Sequence, residues 1–208
     1  GHVRLPGEAG REALPEQVRK ELTKYMDCST VISTRRSVRT YRPDPIPEVV
    51  LQEIIEAALA APSADNLQPW FFVVVKSQKA MQRLIEIMST APQRLEAHLG
   101  SRFTRYPQVI AETKQFISKL GNAPICVLAF QKEKAYSNKA AIIQQSIAAA
   151  IENMLLAAWS LGVGSCWMTA PLEAGLSHNI KEEFAPEKGE LAAMITLDLR
   201  RCSSSTLA

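Results

Sequence analysis

The sequence predicts an α+β or α/β domain of three layers, built around one sheet. Three observations indicate this class: helical and extended patterns alternate along the chain, four short apolar runs are typical of buried strands, and one long helix is apolar around nearly its whole circumference. With 208 residues, 47% of them hydrophobic, the chain suits one domain with a sizeable core and is too short for two. We therefore interpret residues 1–208 as a single domain.

The N-terminal third is predicted to be mainly helical. Residues 1–14 are rich in glycine, proline and charge, and we interpret them as a flexible arm that begins with a Gly-His remnant of cloning. An apolar periodicity predicts a first helix over residues 15–33. The prolines of residues 42–47 cannot continue a helix, but Pro47 suits the first position of a new one, expected over residues 47–59. Its expected buried side consists of Leu51, Ile54, Ile55, Ala58 and Leu59.

The rest of the chain alternates apolar runs with helical patterns. The first run is aromatic and β-branched, which suggests burial on both faces of the strand. Strands are predicted over residues 70–76, 123–130, 165–169 and 191–199. Helices are predicted over residues 77–89, 138–161 and 172–184, with residues 93–119 as helix or loop.

The helix predicted over residues 138–161 would be roughly 36 Å long. A helix that is apolar on every side has to be buried on every side. In a chain of this length, a partner subunit is a natural source of part of that cover, so we expect a homodimer. Gly162 is expected to end the helix.

Charge and cysteine content exclude several classes of protein. The net charge of +3 comes without a lysine and arginine stripe, so nucleic acid is not an expected partner. The cysteines have no spacing that would build a metal site, and free thiols are consistent with a reducing cytoplasm. We expect neither a signal peptide nor a membrane span, because the longest apolar stretch contains Glu152 and Asn153. The scattered cysteines are Cys28, Cys126, Cys166 and Cys202.

The strongest polar signal is Arg-Arg-Ser-Val-Arg at residues 35–39. The nearest acids, Asp27 and Asp44, are too few and too distant along the chain to neutralise three arginines. Guanidinium groups match phosphate geometry and stay protonated, so this stretch suits a phosphate or another polyanion. Taken alone, a basic triplet is more often a solvated surface. The remaining motifs decide between these interpretations.

Three more stretches accompany the arginines. They are Pro-Ser-Ala-Asp-Asn-Leu-Gln-Pro-Trp at residues 62–70, a polar helix segment at residues 144–153, and Gly-Val-Gly-Ser-Cys-Trp-Met-Thr at residues 162–169. In this order and spacing, they resemble the nitroreductase superfamily of FMN-dependent oxidoreductases. The resemblance covers roughly residues 27–199. It implies a central mixed sheet flanked by helices, a homodimer with FMN at its interface, and ping-pong transfer from NADH or NADPH to nitroaromatic, quinone or similar acceptors.

The resemblance also implies which residues bind the phosphate end of FMN. Arg35 and Arg39 would bind the phosphate, and Ser37 would donate a hydrogen bond nearby. Arg36 would reach the pyrimidine edge of the flavin, where a cation stabilises the anionic reduced form. A turn hydrogen bond is the alternative for Ser37.

Further positions would surround the flavin ring. Asn66 suits the O2 and N3 edge, with an Asx turn as its alternative, and Ser63 suits the ribityl chain or phosphate, with a helix cap as its alternative. Backbone N–H groups at the end of the third strand would face N5 and O4, and the tryptophan there would pack near the flavin or in the core. No side chain is assigned as catalytic, because FMN performs the chemistry. The residues of this strand end are Trp167, Met168, Thr169 and Ala170.

Some features leave alternatives open. The last strand is not followed by the Gly-Tyr-Pro turn and basic segment common in the family, so Arg200 or Arg201 would have to replace a phosphate contact. The same fold also supports dehalogenation, flavin breakdown and azoline oxidation. A flavin-binding or sensing protein with little turnover is a further alternative. We expect the substrate lid in residues 93–119, with Phe103, Tyr106 and Phe116.

Overall fold

The computed structural model describes residues 26–41, 44–133 and 140–199. The arm predicted over residues 1–14, and Arg200 and Arg201, lie outside the described residues. Four strands form one sheet with helices on both faces. The strands are β1 (Trp70–Val75), β2 (Ile125–Gln131), β3 (Val163–Met168) and β4 (Leu191–Leu199).

Helices make up much of the described chain outside the sheet. Two short turns, Ala64–Asn66 and Leu120–Asn122, lie in the connections before β1 and β2. The α-helices are α1 (Cys28–Thr34), α2 (Glu48–Leu59), α3 (Gln78–Met88), α4 (Ala91–Arg94), α5 (Glu96–Arg102), α6 (Pro107–Lys119), α7 (Ala140–Ser160), α8 (Ala170–Glu173) and α9 (Ser177–Phe184).

The sheet has the strand order β1-β2-β4-β3, and each neighbouring pair is antiparallel. The α+β class with helices around one sheet is confirmed. The mixed character expected of the sheet is confined, in the described residues, to one parallel bridge between Ser37 and Ser165. Apolar runs mark where strands lie but do not encode strand direction, which depends on long-range pairing.

Each face of the sheet packs against its own hydrophobic cluster. Successive side chains of a strand point to opposite faces, so neighbouring residues are divided between the two clusters. Leu128 and Met194 belong to the cluster formed with α3 to α6 and α9. Val127 and Ile195 belong to the cluster formed with α2 and α7. The sheet is therefore buried on both faces, as expected of a three-layer domain.

Helix α7 is the centre of the second cluster, where it contacts α2 and all four strands. Ile147, Ile151 and Met154 are buried by the chain itself, so less of the helix is left for a partner than the sequence suggests. Ile142, near its N-terminus, is 43% exposed. This helix is the one stretch of the described chain that is long and apolar enough to cross a membrane by length and composition. Its packing in the core accounts for that composition.

The helix predicted over residues 15–33 is interrupted in its described part, and residues 15–25 lie outside the described residues. Met26 and Asp27 are not helical, and α1 starts at Cys28, so residues 15–33 do not form one continuous helix. The carboxylate of Asp27 accepts hydrogen bonds from the hydroxyls of Ser29 and Thr30 and from the Thr30 backbone N–H. These bonds lower the pKa of Asp27, with the Ser29 hydroxyl contributing most. The N-cap signal of Asp27 therefore overrides the apolar periodicity.

Two burial predictions were wrong in detail. Leu59, expected on the buried side of α2, is 39% exposed, because it lies in the last helical turn beyond the cluster formed with α7. The interior of β1 is half-buried and not fully buried on both faces, because β1 is an edge strand. In addition, the helix predicted over residues 172–184 is divided into α8 and α9 around Gly175, whose φ of 66° favours glycine.

Candidate functional site

The arginine stretch leaves α1 and runs beside the start of β3. The backbone N–H of Val38 donates to the carbonyl of Ser165 at 2.9 Å, next to the bridge formed by Ser37. Gly164 permits this approach, since a Cβ atom added there would lie 3.0 Å from the Cβ atom of Val38. The fold thus joins the two polar motifs that lie furthest apart in the sequence.

Tyr41 holds the other end of this stretch on the sheet. Its hydroxyl donates to the carbonyl of Val38 at 2.7 Å and lies 2.5 Å from Oγ1 of Thr196. A Cβ atom added to Gly121 would lie 2.9 Å from both the Tyr41 ring and the carbonyl oxygen of Arg39, so this contact also requires glycine. Burial raises the pKa of Tyr41, because the phenolate would lose its hydration.

The three arginines have different surroundings. The side chain of Arg35 is 26% exposed, and its Nε lies 3.9 Å from Oε1 of Glu152 on α7. Arg36 donates through Nη1 to the carbonyls of Ser33 and Arg35, both at 2.9 Å, so its guanidinium lies over the end of α1. Arg39 lines a cavity. Arg35 and Arg39 therefore remain available to a ligand, whereas Arg36 would have to break two hydrogen bonds.

A cavity of about 600 Å³ lies between residues 39–41 and α6. Its lining combines the cations Arg39 and Lys119 and the anion Glu112 with the aromatic rings of Phe103 and Phe116. Small-molecule sites place polar groups beside aromatic side chains in a concave space, so this cavity, whose lining residues are largely polar, is a candidate site. Phe103 and Phe116 were both expected in a substrate lid. Tyr106, the third of those residues, is 58% exposed.

Lys119 and Asn122 are site candidates that the sequence analysis missed. Helix α6 ends at Lys119, and Leu120, Gly121 and Asn122 then have φ values of 52°, 62° and 60°. Three successive left-handed residues turn the chain sharply, and the turn leaves Lys119 and Asn122 in the cavity with Arg39. The available signal was Lys-Leu-Gly-Asn at a helix end, since glycine and asparagine are the residues that tolerate this conformation.

At its other end, β3 leads through Thr169 into α8. Met168 is buried and Ala170 is nearly so, whereas Thr169 is exposed. The Thr169 hydroxyl donates to Oε1 of Glu173 at 2.6 Å. Oε2 of Glu173 lies 3.4 Å from Nε2 of His98 on α5. The arginine bridge at Ser165 and the strand end at Thr169 are four residues apart, about 13 Å along β3, so an extended ligand could contact both.

Two buried polar atoms on β3 have no hydrogen-bond partner among the described residues. They are Oγ of Ser165 and Nε1 of Trp167. Buried donors left unpaired are rare and cost about 1–3 kcal/mol each, so such atoms often mark a bound ligand or water. Cys166 lies on the other face of β3 and is buried. Burial raises the pKa of its thiol, although Arg39 and Arg35 act in the opposite direction.

The loop before β1 holds Ser63 and Asn66. The Oγ atom of Ser63 accepts from the backbone N–H of Gln68 at 3.0 Å, and Oδ1 of Asn66 accepts from Nε2 of Gln68 at 3.2 Å. Asn66 and Gln68 have φ values of 52° and 45°, and strain of this kind is concentrated at functional sites. The loop contacts α7 where the backbone N–H of Ala64 donates to Oγ of Ser146 at 3.3 Å.

The structure therefore groups the predicted residues in two places. Residues 35–39 and 165–170 lie together along β3. The side-chain hydrogen bonds of Ser63 and Asn66 in the described chain stay within their loop. Helix α7 links the two places, with Ser146 at the loop and Glu152 at Arg35, about 9 Å apart along its axis. In the described ranges, no cluster of three or more His, Cys, Asp or Glu side chains could hold a metal ion.

Comparisons with known proteins match this chain over most of its length. The profile of the Nitroreductase family matches residues 32–197. A protein of Archaeoglobus fulgidus, provisionally named NADH dehydrogenase/NAD(P)H nitroreductase, is 30% identical over 142 residues, which are 68% of this chain and 67% of that protein. With two further relatives, the matched segment is only 30% and 64% of the relative's own length. An iodotyrosine deiodinase of Danio rerio is 30% identical over 104 residues, 50% of this chain and 35% of the deiodinase.

Solved structures share the fold. An FMN-dependent nitroreductase of Mycobacterium smegmatis, crystallised with NADPH, aligns with a TM-score of 0.64 and 23% identity. That alignment covers 82% of this chain and 86% of the crystallised chain. At this level of identity, the likeness establishes the fold alone.

Proposed function

Because this chain belongs to the nitroreductase family, we propose that it is an FMN-dependent oxidoreductase that uses NADH or NADPH to reduce nitroaromatic, quinone or similar acceptors. One observation carries the proposal: the bridge between Ser37 and Ser165 holds the arginine stretch against β3. Phosphate-binding groups and the strand end that would face the flavin are thereby fixed on one element. A solvated basic surface would not need this close docking.

The described residues of these two motifs fit FMN. Arg35 and Ser37 would hold its phosphate, with Arg39 beside them, because guanidinium groups pair with phosphate oxygens. Bound FMN would supply hydride acceptance from NAD(P)H and electron transfer to the acceptor in a ping-pong cycle. The cavity of about 600 Å³ offers room beside Arg39.

Positive charge near the flavin pyrimidine would come from Arg39 and Lys119. Both line the cavity, whereas Arg36 is bonded to the end of α1. We therefore prefer them to Arg36 for the contact expected at the pyrimidine edge. A cation at that edge stabilises the anionic reduced flavin and so favours hydride acceptance. Backbone N–H groups of residues 168–170 would then face the reacting edge of the ring.

We also propose that the working unit is a homodimer with FMN at its interface. Ser63 and Asn66 lie in a loop whose side-chain bonds do not reach the arginines, so a second copy could supply them to the site. Large apolar side chains are exposed on three helices that such an interface could cover. They are Ile32 at 60%, Leu59 at 39% and Ile142 at 43%.

A cytoplasmic location is proposed from the thiols. Cys28, Cys126 and Cys166 are free in the described part of the chain, and unpaired cysteines are typical of a reducing compartment. Labelling of intact cells with a membrane-impermeant thiol reagent tests this location. We expect Cys28, which is exposed, to react only after lysis.

Purification and a visible spectrum test the proposed function first. We expect bound FMN, rapid bleaching of its absorbance by NADH or NADPH without oxygen, and recovery on adding a quinone or nitroaromatic acceptor. Arg35→Ala should weaken FMN binding at least tenfold, which is the loss of about 1.4 kcal/mol expected for a charged hydrogen bond. Arg102→Ala, an exposed arginine on α5, is the matched control. Full FMN occupancy in Arg35→Ala would contradict the assignment.

The same experiment separates the alternatives. A flavin-binding or sensing protein would bind FMN but resist bleaching by both nicotinamides. A related reaction would show bleaching without turnover of quinones or nitroaromatics. For that outcome, a halogenated tyrosine is the first acceptor to try, given the match to an iodotyrosine deiodinase. A colourless protein that cannot be loaded with FMN would overturn the proposal altogether.

A further inference from the structure

A chain of three side chains links α5 to the end of β3. The Thr169 hydroxyl donates to Oε1 of Glu173 at 2.6 Å, and Oε2 of the same carboxylate lies 3.4 Å from Nε2 of His98. A second contact joins the same regions, because Nη1 of Arg94 on α4 donates to the carbonyl of Ala174 at 3.2 Å. Helices α4 and α5 are thus tied to the turn that begins at Thr169.

This arrangement is not explained by local helix stability. Thr169 occupies the N-cap position of α8, where a threonine normally accepts from a backbone N–H of the first turn. Here the second residue of the helix is Pro171, which has no N–H, and Thr169 itself has helical φ and ψ values of −98° and −7°. Its side chain makes no such bond and is directed to Glu173. The side chains of His98 and Glu173 are 47% and 41% exposed, and ion pairs at that exposure add little to stability. The hydroxyl is therefore held for another reason than capping.

We propose that Glu173 and His98 are positioning residues that hold the Thr169 hydroxyl as a hydrogen-bond acceptor for the reduced flavin. An ionised carboxylate can only accept, so the single hydrogen of the Thr169 hydroxyl is committed to Glu173. The lone pairs of Oγ1 are left for whatever lies beside the strand end. This inference rests on the proposed function, which puts residues 168–170 beside flavin N5.

The orientation of the Thr169 hydroxyl distinguishes reduced from oxidised flavin, because the two forms differ at N5. N5 carries a hydrogen in reduced flavin and a lone pair in oxidised flavin. An acceptor oxygen at Thr169 therefore favours the reduced form, and a donor hydroxyl would favour the oxidised form. By fixing the hydroxyl hydrogen on its own carboxylate, Glu173 would raise the affinity for reduced flavin relative to oxidised flavin.

His98 would connect this preference for reduced flavin to the position of α5. It approaches the carboxylate oxygen that is not used by Thr169, so it limits rotation of the carboxylate. Other charges near His98 are Arg94 and Arg102, one helical turn on either side, and Glu96, which pairs with Lys114 of α6. A movement of α5 away from α8 would remove the contact between His98 and Glu173 and leave the carboxylate free to turn.

Substitution of Glu173 by glutamine tests the proposal. The amide can donate to Thr169, which frees the hydroxyl hydrogen to point at the N5 lone pair of oxidised flavin. The dissociation constants of oxidised and reduced FMN, measured anaerobically by flavin fluorescence and absorbance, give the preference for the reduced form. We expect Glu173→Gln to lower this preference about fivefold to tenfold, the value of one hydrogen bond. The midpoint potential of the bound flavin should fall correspondingly.

The sign of the shift separates this role from a charge effect. Removal of a negative charge near the flavin would by itself favour the anionic reduced form, which is the opposite direction. In a Thr169→Val background, Glu173→Gln should no longer lower the preference, because only the opposite charge effect is left. Glu183→Gln, an exposed carboxylate paired with Arg83, is the charge-matched control and should leave the preference unchanged. His98→Asn should shift it in the same direction as Glu173→Gln, by a smaller factor.

Several outcomes would overturn the inference. One is an unchanged or increased preference for reduced FMN in Glu173→Gln. Another is a fall in that preference that is equally large when Glu173→Gln is combined with Thr169→Val. The melting temperature of each variant without FMN checks folding, and Glu173→Ala provides a second variant without the new amide donor. The outcomes also remain distinct from failure of the proposed function. A wild-type protein that does not bind FMN would refute the proposed function, whereas binding without the expected shift would refute this inference alone.

Discussion

The hydroxyl oxygen of Tyr41 lies 2.5 Å from Oγ1 of Thr196, although 155 residues separate them in the chain. Thr196 is on β4, the strand between β2 and β3, and it is paired in register with Cys126 on one side and Cys166 on the other. Tyr41 also donates to the carbonyl of Val38. This buried pair therefore fixes the arginine stretch to the middle of the sheet.

Tyr41→Phe should destabilise the fold and weaken FMN binding together. The change leaves the Val38 carbonyl without its donor, and the Thr196 hydroxyl keeps only the Cys166 carbonyl, at 3.5 Å, as an acceptor. An unsatisfied buried group costs about 1–3 kcal/mol, so we expect a loss of that size in the free energy of unfolding by urea. Tyr106→Phe changes an exposed tyrosine and is the control. A Tyr41→Phe protein as stable as wild type would show that the pair does not contribute.

The same tyrosine predicts a loss of stability at alkaline pH. Burial raises the pKa of Tyr41 in the folded protein above its ordinary value near 10. Above that value the unfolded chain releases the proton while the folded protein retains it. Stability should therefore be undiminished below pH 10 and fall by about 1.4 kcal/mol per pH unit above it, on account of this residue. The free energy of unfolding by urea, measured between pH 9 and 11, should fall less steeply with pH in Tyr41→Phe than in the wild type. An equal fall with pH in both proteins would contradict the prediction.

Gly164→Ala should separate the arginine stretch from β3. The new Cβ atom would lie 3.0 Å from the Cβ atom of Val38, in the middle of the contact between them. We expect the variant to fold and to bind FMN at least tenfold more weakly, because the phosphate-binding residues move. Adding Val38→Gly removes the opposing Cβ atom together with both methyl groups and should restore part of the affinity. Gly100→Ala, with nothing within 4 Å of the new atom, is the control. Unchanged FMN affinity in Gly164→Ala would show that the docking does not matter.

Lys119→Gln should reduce the affinity for reduced FMN more than for oxidised FMN. The cavity would keep Arg39 and the anion Glu112 but lose one of its two cations. The anionic reduced flavin depends on that charge most, and roughly 1 kcal/mol of charge interaction would give about a fivefold difference between the two affinities. Lys79→Gln removes an exposed charge on α3 and is the matched control. Equal losses for both redox forms would place Lys119 away from the pyrimidine edge.

Much of the fold could be predicted from local signals. The run at residues 191–199 matches β4 at both ends, and Gly162 ends α7 with a φ of 75°. The interruption at Asp27 was not predicted, because the apolar periodicity of residues 15–33 continues through this residue, whose carboxylate caps the helix that follows. Strand directions were not predictable either, since they depend on pairing between distant segments.

The site was predictable only where a local motif indicated it. The motif at residues 35–39 indicated a polyanion, and its docking on Ser165 supports that interpretation. Lys119 and Asn122 were missed, because their place in the cavity depends on three left-handed residues that follow α6. The contact between Glu173 and His98 joins residues 75 positions apart, which no local pattern could indicate.

A crystal structure of the FMN complex tests the central claim most directly. We expect the phosphate within hydrogen-bonding distance of Arg35 and Ser37, the flavin reaching toward Arg39 and Lys119, and residues 168–170 along the N5 edge of the ring. Guanidinium groups directed into solvent, with FMN bound elsewhere or absent at saturating concentration, would contradict the account.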